Sequence, residues 1–390
     1  MEPGCPLIVT GQQIGAGWSP ALSVVKALAA LVLAEKLGGT AVYWMADEDH
    51  DHLEVASVVG LEAGRLRRHR FRFGLPAGIA TGWLPWTEAH QAEAEALWGP
   101  LPRPDEPTLK GHVRALGEPL WRRGLKPFSP TEPHRRDVIQ EELVRWRALD
   151  LEADLLRQAE RLEAQGVRMV LDPRTQAAWF SLDPATGRRV RLEPGEPLPA
   201  GSWLSPGAAV RPLMQSLLLP VTHAVLGPGE RAYWRLCEPL WERVGIQAPE
   251  IVPRPRAFVV PRGLDLAVDQ LGDVRDGRWS AFVQSAALPS LGLRMPQTSP
   301  LWSEALGKRL MDEYARFQQR VQRLDARFQR DQVKRAWGRD PERVRQALFP
   351  FGKDQERVLP GWFWLRDEAL LDRMAEALGS GADLVLVEEA

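Results

Sequence analysis

Four carboxylates and two imidazoles fall within six consecutive residues, Asp47-Glu48-Asp49-His50-Asp51-His52. His50, flanked by Asp49 and Asp51, is suited to general base work, because a neighbouring carboxylate raises and orients an imidazole. Glu48 and Asp49 are equally able to hold a divalent cation or a substrate ammonium. A metal-only reading lacks further ligand spacing such as H-E-x-x-H. A purely structural reading is disfavoured, since burying six ionisable groups unpaired is costly. Two other short stretches have the composition to meet this acidic knot. They are Thr10-Gly11-Gln12-Gln13 and Gly227-Pro228-Gly229-Glu230.

The elements around these stretches read as an α/β core. Pro6–Thr10 is an apolar strand, Gly11–Pro20 a loop with three glycines, and Ala21–Leu37 a helix stopped by Gly38-Gly39. Ala41–Ala46 is a continuous apolar strand that runs straight into the knot. This β-loop-α-β order implies a parallel sheet with a right-handed crossover, and such sheets bind ligands at the carboxyl ends of their strands. The Gly11 loop and the following helix N-terminus favour an anion, but the loop is neither a dinucleotide fingerprint nor a P-loop. Its alternative is a tight turn that serves packing. Further on, Arg211–Gln215 opens a helix, Thr222–Leu226 is a strand, and Gly227–Glu230 turns into a helix carrying Tyr233 and Trp234. Pro249–Arg256 reads as an extended exit.

Between these lie a loop-rich insertion at about 61–108, helices near 110–123, from about 133 onward and near 149–165, and a second insertion at about 172–206 containing a hairpin around Asp183–Gly187. Ser129-Pro130-Thr131-Glu132 is a weaker strand-to-helix turn facing the cleft. His69, His90 and His112 read as solvated surface. Leu301–Ala336 reads as one long helix, with Leu310, Tyr314, Phe317, Val321, Leu324 and Phe328 in heptad register. That pattern suits a helical hairpin, a dimer seam, or a single amphipathic helix on the core. Leu384–Val387 is a terminal strand able to rejoin the sheet. The expected organisation is a catalytic core over 1–262, the heptad segment over 300–338, and C-terminal helices and strand over 339–390.

Composition narrows the class. The 390 residues carry a formal net charge of −1, so no basic field points to nucleic acid. Only seven of the 50 basic residues are Lys, a bias of genome or growth temperature rather than function. Two cysteines make no disulfide framework, which points to a reducing cytosol, with Cys237 a buried, inert thiol. No signal peptide is evident, and no apolar stretch is long enough to span a membrane.

The order Thr10-Gly11-Gln12-Gln13, a helix with Lys26, Tyr43–Asp51, Arg211–Gln215, Gly227–Glu230 with Tyr233-Trp234, Pro249–Arg254 and Gln355-Glu356-Arg357 resembles the bacillithiol biosynthesis cysteine-adding enzymes, the BshC family. The resemblance covers nearly the whole chain. Three departures are a start almost at the first strand, where a helical N-terminal extension is usual, a 301–336 segment short for the family's coiled coil, and Asp47, where a small residue is common. The resemblance implies a Rossmann-like core of the class I nucleotidyltransferase type, with insertions and a coiled coil that makes a homodimer. It also implies ligation of L-cysteine to glucosaminyl-malate, a cytoplasmic reaction drawing on ATP, with room for Mg²⁺. On that reading His50 deprotonates the amine, oriented by Asp49 or Asp51, with Glu48 alongside. Thr10, Gly11, Gln12 and Gln13 cradle phosphate or the activated carbonyl. Gly227, Gly229, Glu230, Tyr233 and Trp234 contact nucleotide, with Glu230 on the ribose. Arg211, beside Gln215, pairs with a carboxylate or phosphate, or else with the knot itself. No metal ligand set is assigned. Other classes left open are a related ligase for another amine and acid, a nucleotide-binding scaffold, and a metal-dependent hydrolase.

Overall fold

The computed structural model describes residues 5–283 and 303–389. These fall into two units, one made of residues up to 258 with 356–388, the other of residues 259–355.

The first unit is built on a five-stranded parallel sheet. Its strands are β1 (Leu7–Gln12), β2 (Thr40–Met45), β3 (Lys126–Phe128), β4 (His223–Leu226) and β5 (Glu250–Pro253). Their spatial order is β5-β4-β1-β2-β3. The sheet therefore starts in the middle, grows to one side, and then returns to grow to the other. This is the doubly wound Rossmann order, and its switch point lies between β1 and β4. Pairing there covers only Ile8–Val9 against His223–Ala224, so the two strands part toward their carboxyl ends. The Thr10 hydroxyl bridges the opening by donating to the Val225 carbonyl at 3.0 Å.

The strand positions follow from their side chains. β2 is apolar on both faces and all but its first residue is buried, as a central parallel strand requires. Trp44 stacks on Phe128 of β3, centroids 5.2 Å apart, a pair that adds about 0.5–1.5 kcal/mol beyond area burial. β1 extends through Gln12 and so includes Gly11, which the sequence reading assigned to a loop. The parallel partner explains it: a Cβ on Gly11 would lie 2.5 Å from the Trp44 carbonyl oxygen. Glu250–Pro253 is likewise a strand rather than an extended exit, because Ile251 and Val252 pair with Ala224 and Val225.

Helix Leu22–Leu37 crosses from β1 to β2 and ends at Gly38 in the left-handed conformation (φ 62°). Its buried side includes Lys26, while Ala29, Val32 and Leu33 are only partly covered. Helix Pro133–Arg147 follows β3. A three-stranded antiparallel sheet of Trp179–Leu182, Arg189–Arg191 and Trp203–Pro206 then precedes helix Arg211–Leu218. Helix Pro228–Val244 links β4 to β5; Pro228 opens it and the Glu230 carboxylate caps the Gly227 N–H at 2.8 Å. The terminal strand Leu384–Glu388 does not rejoin the central sheet but pairs with Arg256–Val260. The edges of the central sheet already belong to β3 and β5.

The second unit contains the long helix, Glu304–Trp337. Expected positions 301 and 302 lie outside the described residues. Of its side chains only Val333 is buried, while Leu306, Leu310, Phe317, Leu324 and Phe328 are exposed large hydrophobics. The three histidines expected on the solvated surface are not free in solvent. His90 and His112 are buried, His112 stacking on Trp86 with centroids 3.7 Å apart, while His69 is partly covered and pairs with Glu93 at 2.9 Å. A polar type in a loop-rich stretch was a poor guide because the loops fold over aromatic side chains.

Candidate active site

The residue after β2 inherits the direction of a buried strand, so the first carboxylates of the knot are carried into the core. Asp47 and Glu48 are fully buried. Each is met by a dedicated partner. The Ser129 hydroxyl donates to Asp47 Oδ2 at 2.5 Å and the Thr131 hydroxyl at 2.8 Å. Burial pushes the Asp47 carboxyl above its ordinary pKa. Glu48 Oε2 accepts from Arg136 Nη2 at 2.6 Å and from the Ser205 hydroxyl at 2.9 Å. Burial would raise Glu48 too, but Arg136, Arg211 and Arg189 together hold it below the usual range.

Asp49 reaches the edge of the core. Its Oδ2 accepts from Arg211 Nη2 at 2.9 Å, and Arg211 Nε lies 3.4 Å from Glu48 Oε1. Against burial, Arg211 and Arg189 keep Asp49 well below the usual carboxylate range. Of the two pairings expected for Arg211, the structure has the one with the knot. Asp51 turns away and caps the helical turn His52–Ala56, accepting from the Leu53 and Glu54 N–H groups at 3.0 and 3.2 Å. The four carboxylates thus do not converge on one point: Asp47 goes to hydroxyls, Asp51 to a helix cap, and Glu48 and Asp49 to arginines, sharing Arg211.

His50 has an unanticipated neighbour. Its Nδ1 lies 3.0 Å from Arg189 Nη1. A guanidinium can only donate, so Nδ1 is the acceptor and the neutral ring carries its proton on Nε2. Asp49 accepts from the His50 backbone N–H at 2.8 Å and lies 4.0 Å from Nδ1. Burial and Arg189 hold the His50 pKa below its ordinary value. Arg189 is itself buried, with its pKa lowered to about 10 by that burial, and its guanidinium lies 3.9 Å from the Phe180 ring centroid. The lone pair that a general base would use is therefore engaged with an arginine.

A cavity of about 250 Å³ opens at the switch point. Thr10, Gly11, Gln12 and Gln13 line it from β1 and its exit, Asp49 and Glu54 from the knot, Arg211 and Gln215 from one helix, and Glu230, Tyr233 and Trp234 from another. Most of the residues singled out from the sequence are thus brought together, but Glu48, His50, Asp51, Gly227 and Gly229 do not line this cavity. Glu230 is held by the buried Lys26, whose Nζ lies 2.7 and 2.8 Å from its two carboxylate oxygens. Lys26 also donates to the Gly11 carbonyl and to Gln12 Oε1. This one ammonium ties the end of β1 to the start of helix Pro228–Val244. Burial lowers its pKa, partly offset by Glu230.

The sequence reading missed Arg136, Arg189, Ser205 and Glu54. Buried acids need partners, so bases had to be somewhere. In a chain this rich in arginine, nothing local marked which ones. Arg189 and Ser205 sit in an insertion that reads as a hairpin and Pro-rich sequence, with nothing to show that it folds back onto the knot.

The fold and site define an α/β protein of Rossmann-like strand order whose polar crevice lies at the β1/β4 switch point. The family description "Bacillithiol biosynthesis BshC, N-terminal Rossmann-like domain" matches residues 199–255, which contain β4 and β5. Over 96% of its length the chain is 29% identical to a protein of Thermus thermophilus named "Putative cysteine ligase BshC", covering 86% of that relative. A protein of the same name from Salinibacter ruber is 25% identical over 97% of this chain and 81% of its own. The chain is thus similar to the BshC proteins over nearly its full length, in agreement with the resemblance drawn from its motifs.

Proposed function

We propose that this protein is a ligase that joins the carboxyl of L-cysteine to the amine of glucosaminyl-malate, forming bacillithiol with ATP as the activating cosubstrate. The observation that carries the reading is the single cavity in which the Thr10–Gln13 segment meets Arg211, Gln215 and Tyr233, in a chain that is similar to BshC proteins over nearly its full length.

Its chemistry suits two polar substrates. The side-chain amides of Gln12 and Gln13 offer donors to carbonyl or phosphate oxygens. Arg211 faces the cavity with its charge fixed, since Asp49 and Glu48 outweigh burial and raise its pKa. Together Glu48 and Asp49 meet three arginines, so this cluster carries a net positive charge that favours a carboxylate or phosphate. Glu230 retains acceptor capacity beyond Lys26 and the Gly227 N–H, enough for a ribose hydroxyl. The carboxylates of the knot are committed to arginines, hydroxyls and a helix cap. Magnesium is therefore read as arriving with nucleotide phosphates rather than in a protein cage. The exposed apolar stripe on Glu304–Trp337 supports a homodimer seam in which a second copy covers Phe317 and Leu324.

The test is ligation by the purified protein with cysteine, glucosaminyl-malate and magnesium, with and without ATP, read by mass spectrometry. Bacillithiol formed only with ATP is the expected result. No product under either condition from folded protein overturns the reading. Product formed with a different amine or acid in preference would retain the ligase and change its substrate.

A further inference from the structure

Two cavities of the first unit share a wall. One is the switch-point cavity; the other, about 190 Å³, is lined by Ser19, Pro20, Val55, Ser57, Arg357 and Val358. Gln12, Gln13 and Glu54 line both. Joining two molecules through an amide needs two binding volumes that meet where the reacting atoms lie. Resting on the ligase reading, we infer that Glu54 is the catalytic base: it takes the proton from the attacking amine, with the acyl substrate in the switch-point cavity and the amine substrate in the second.

The other groups near this boundary are committed or unable to act. Gln12 and Gln13 cannot take a proton. Asp49 is paired with Arg211, and Glu230 with Lys26. His50 lines neither cavity and its Nδ1 faces Arg189. The Glu54 side chain has no ion pair or hydrogen bond among the described residues. Its backbone is nevertheless fixed, because Asp51 caps its N–H. Charged groups facing it are Asp49 and Asp51 from the knot, Arg357 across the second cavity, and Arg211 and Glu230 across the first. Glu54 is open to water on one side; the partial burial of its carboxylate first, then the charges of Asp51 and Asp49, raise its pKa, which strengthens it as a base.

The step balances simply. The amine lone pair attacks the acyl carbon of a carboxyl activated by a nucleoside triphosphate, and a C–N bond forms. The bond from that carbon to the phosphate-bearing oxygen breaks and its electron pair leaves with the phosphate. The proton lost by nitrogen passes to Glu54, whose exposed side returns it to water.

The test compares wild type and Glu54→Gln in the ligation assay. With glucosaminyl-malate, the variant should lose at least about 10²-fold in kcat with KM held within about threefold. Wild-type kcat should fall as pH drops through the raised Glu54 pKa, and the variant should lack that acid limb. Hydroxylamine, neutral at pH 7 and needing no base, should give cysteine hydroxamate with the variant within about threefold of wild type. A variant that keeps wild-type kcat and the acid limb overturns the role of Glu54 alone. Equal loss with both amines also overturns it, since that is the signature of a structural defect. A wild-type protein that forms no amide overturns the ligase reading and this inference together.

Discussion

Arg136→Met isolates the energetics of the buried acid cluster. Both Arg136 and Glu48 have side chains with 0% exposure, and their 2.6 Å contact is the shortest that Glu48 makes. Removing one member of such a pair costs about 3–5 kcal/mol, because the other charge is left buried. Glu48 would keep the Ser205 hydroxyl at 2.9 Å and Arg211 Nε at 3.4 Å. The expected loss is therefore at the lower end, about 3 kcal/mol, a large share of the roughly 5–15 kcal/mol that holds a domain together. Met keeps an unbranched apolar stem and gives up the Arg136 Nη1 contact to Met214 Sδ at 2.6 Å, so lost packing contributes little. Adding Glu48→Gln removes the stranded charge and should return about 2 kcal/mol of that loss. Urea unfolding followed by tryptophan fluorescence measures both. The sign with pH is a further check. In the wild type the depressed Glu48 pKa contributes stability above the unfolded value of 4.5, lost as pH falls through the folded one. In Arg136→Met the carboxylate is penalised instead, so the destabilisation should be largest at neutral pH and shrink below about 4.5. A loss under about 1 kcal/mol at pH 7, or a double variant that costs the sum of the singles, would refute the reasoning.

His112 is buried and its pKa is lowered from 6.5 to about 3. Unfolding takes up its proton between those values, so stability should fall as pH drops from 6.5 toward 3, and His112→Gln should flatten that slope in urea titrations at pH 7.5 and 5. Gly11→Ala should destabilise by about 1–3 kcal/mol through its clash with the Trp44 carbonyl. Gly229→Ala, where a Cβ meets nothing within 4 Å, should raise stability by about 0.4–1 kcal/mol. A nucleotide packed on that backbone would appear as a raised KM for ATP in the same variant. For the proposed homodimer, Phe317→Glu with Leu324→Glu should shift the sedimentation coefficient from dimer to monomer while leaving the ligation rate per chain measurable; a wild type that sediments as a monomer, or unchanged sedimentation of the variant, would refute the helix as the seam.

The central elements were legible because burial leaves a local record. An apolar run such as Ala41–Ala46 has few alternatives to a doubly covered parallel strand, and Gly38 stops the helix before it. The stretches at 10–13, 47–52, 211–215 and 227–230 were legible for the opposite reason: polar groups placed straight after buried strands, or opening helices beside them, carry a cost unless something meets them. His112 reads as surface in the sequence because one histidine in a short helix carries no signal of the Trp86 ring that covers it. Gly11 was placed in a loop because its requirement comes from a backbone oxygen some thirty residues away, at Trp44.

By itself, then, the sequence determined the α/β class, the parallel core, the long helix and the list of stretches that surround a site. It did so because hydrophobic period and turn chemistry act over a few residues. The tertiary structure alone decided how those stretches are wired. The strand order places β1 beside β4 and so makes the crevice. The fold aims Arg136, Arg189 and Arg211 at Glu48 and Asp49 from three separate elements, gives the His50 lone pair to Arg189, and leaves the Glu54 carboxylate unclaimed where two cavities meet. Charge pairing is a matter of distance in space, and distances between residues 48, 136, 189 and 211 exist only once the chain has folded.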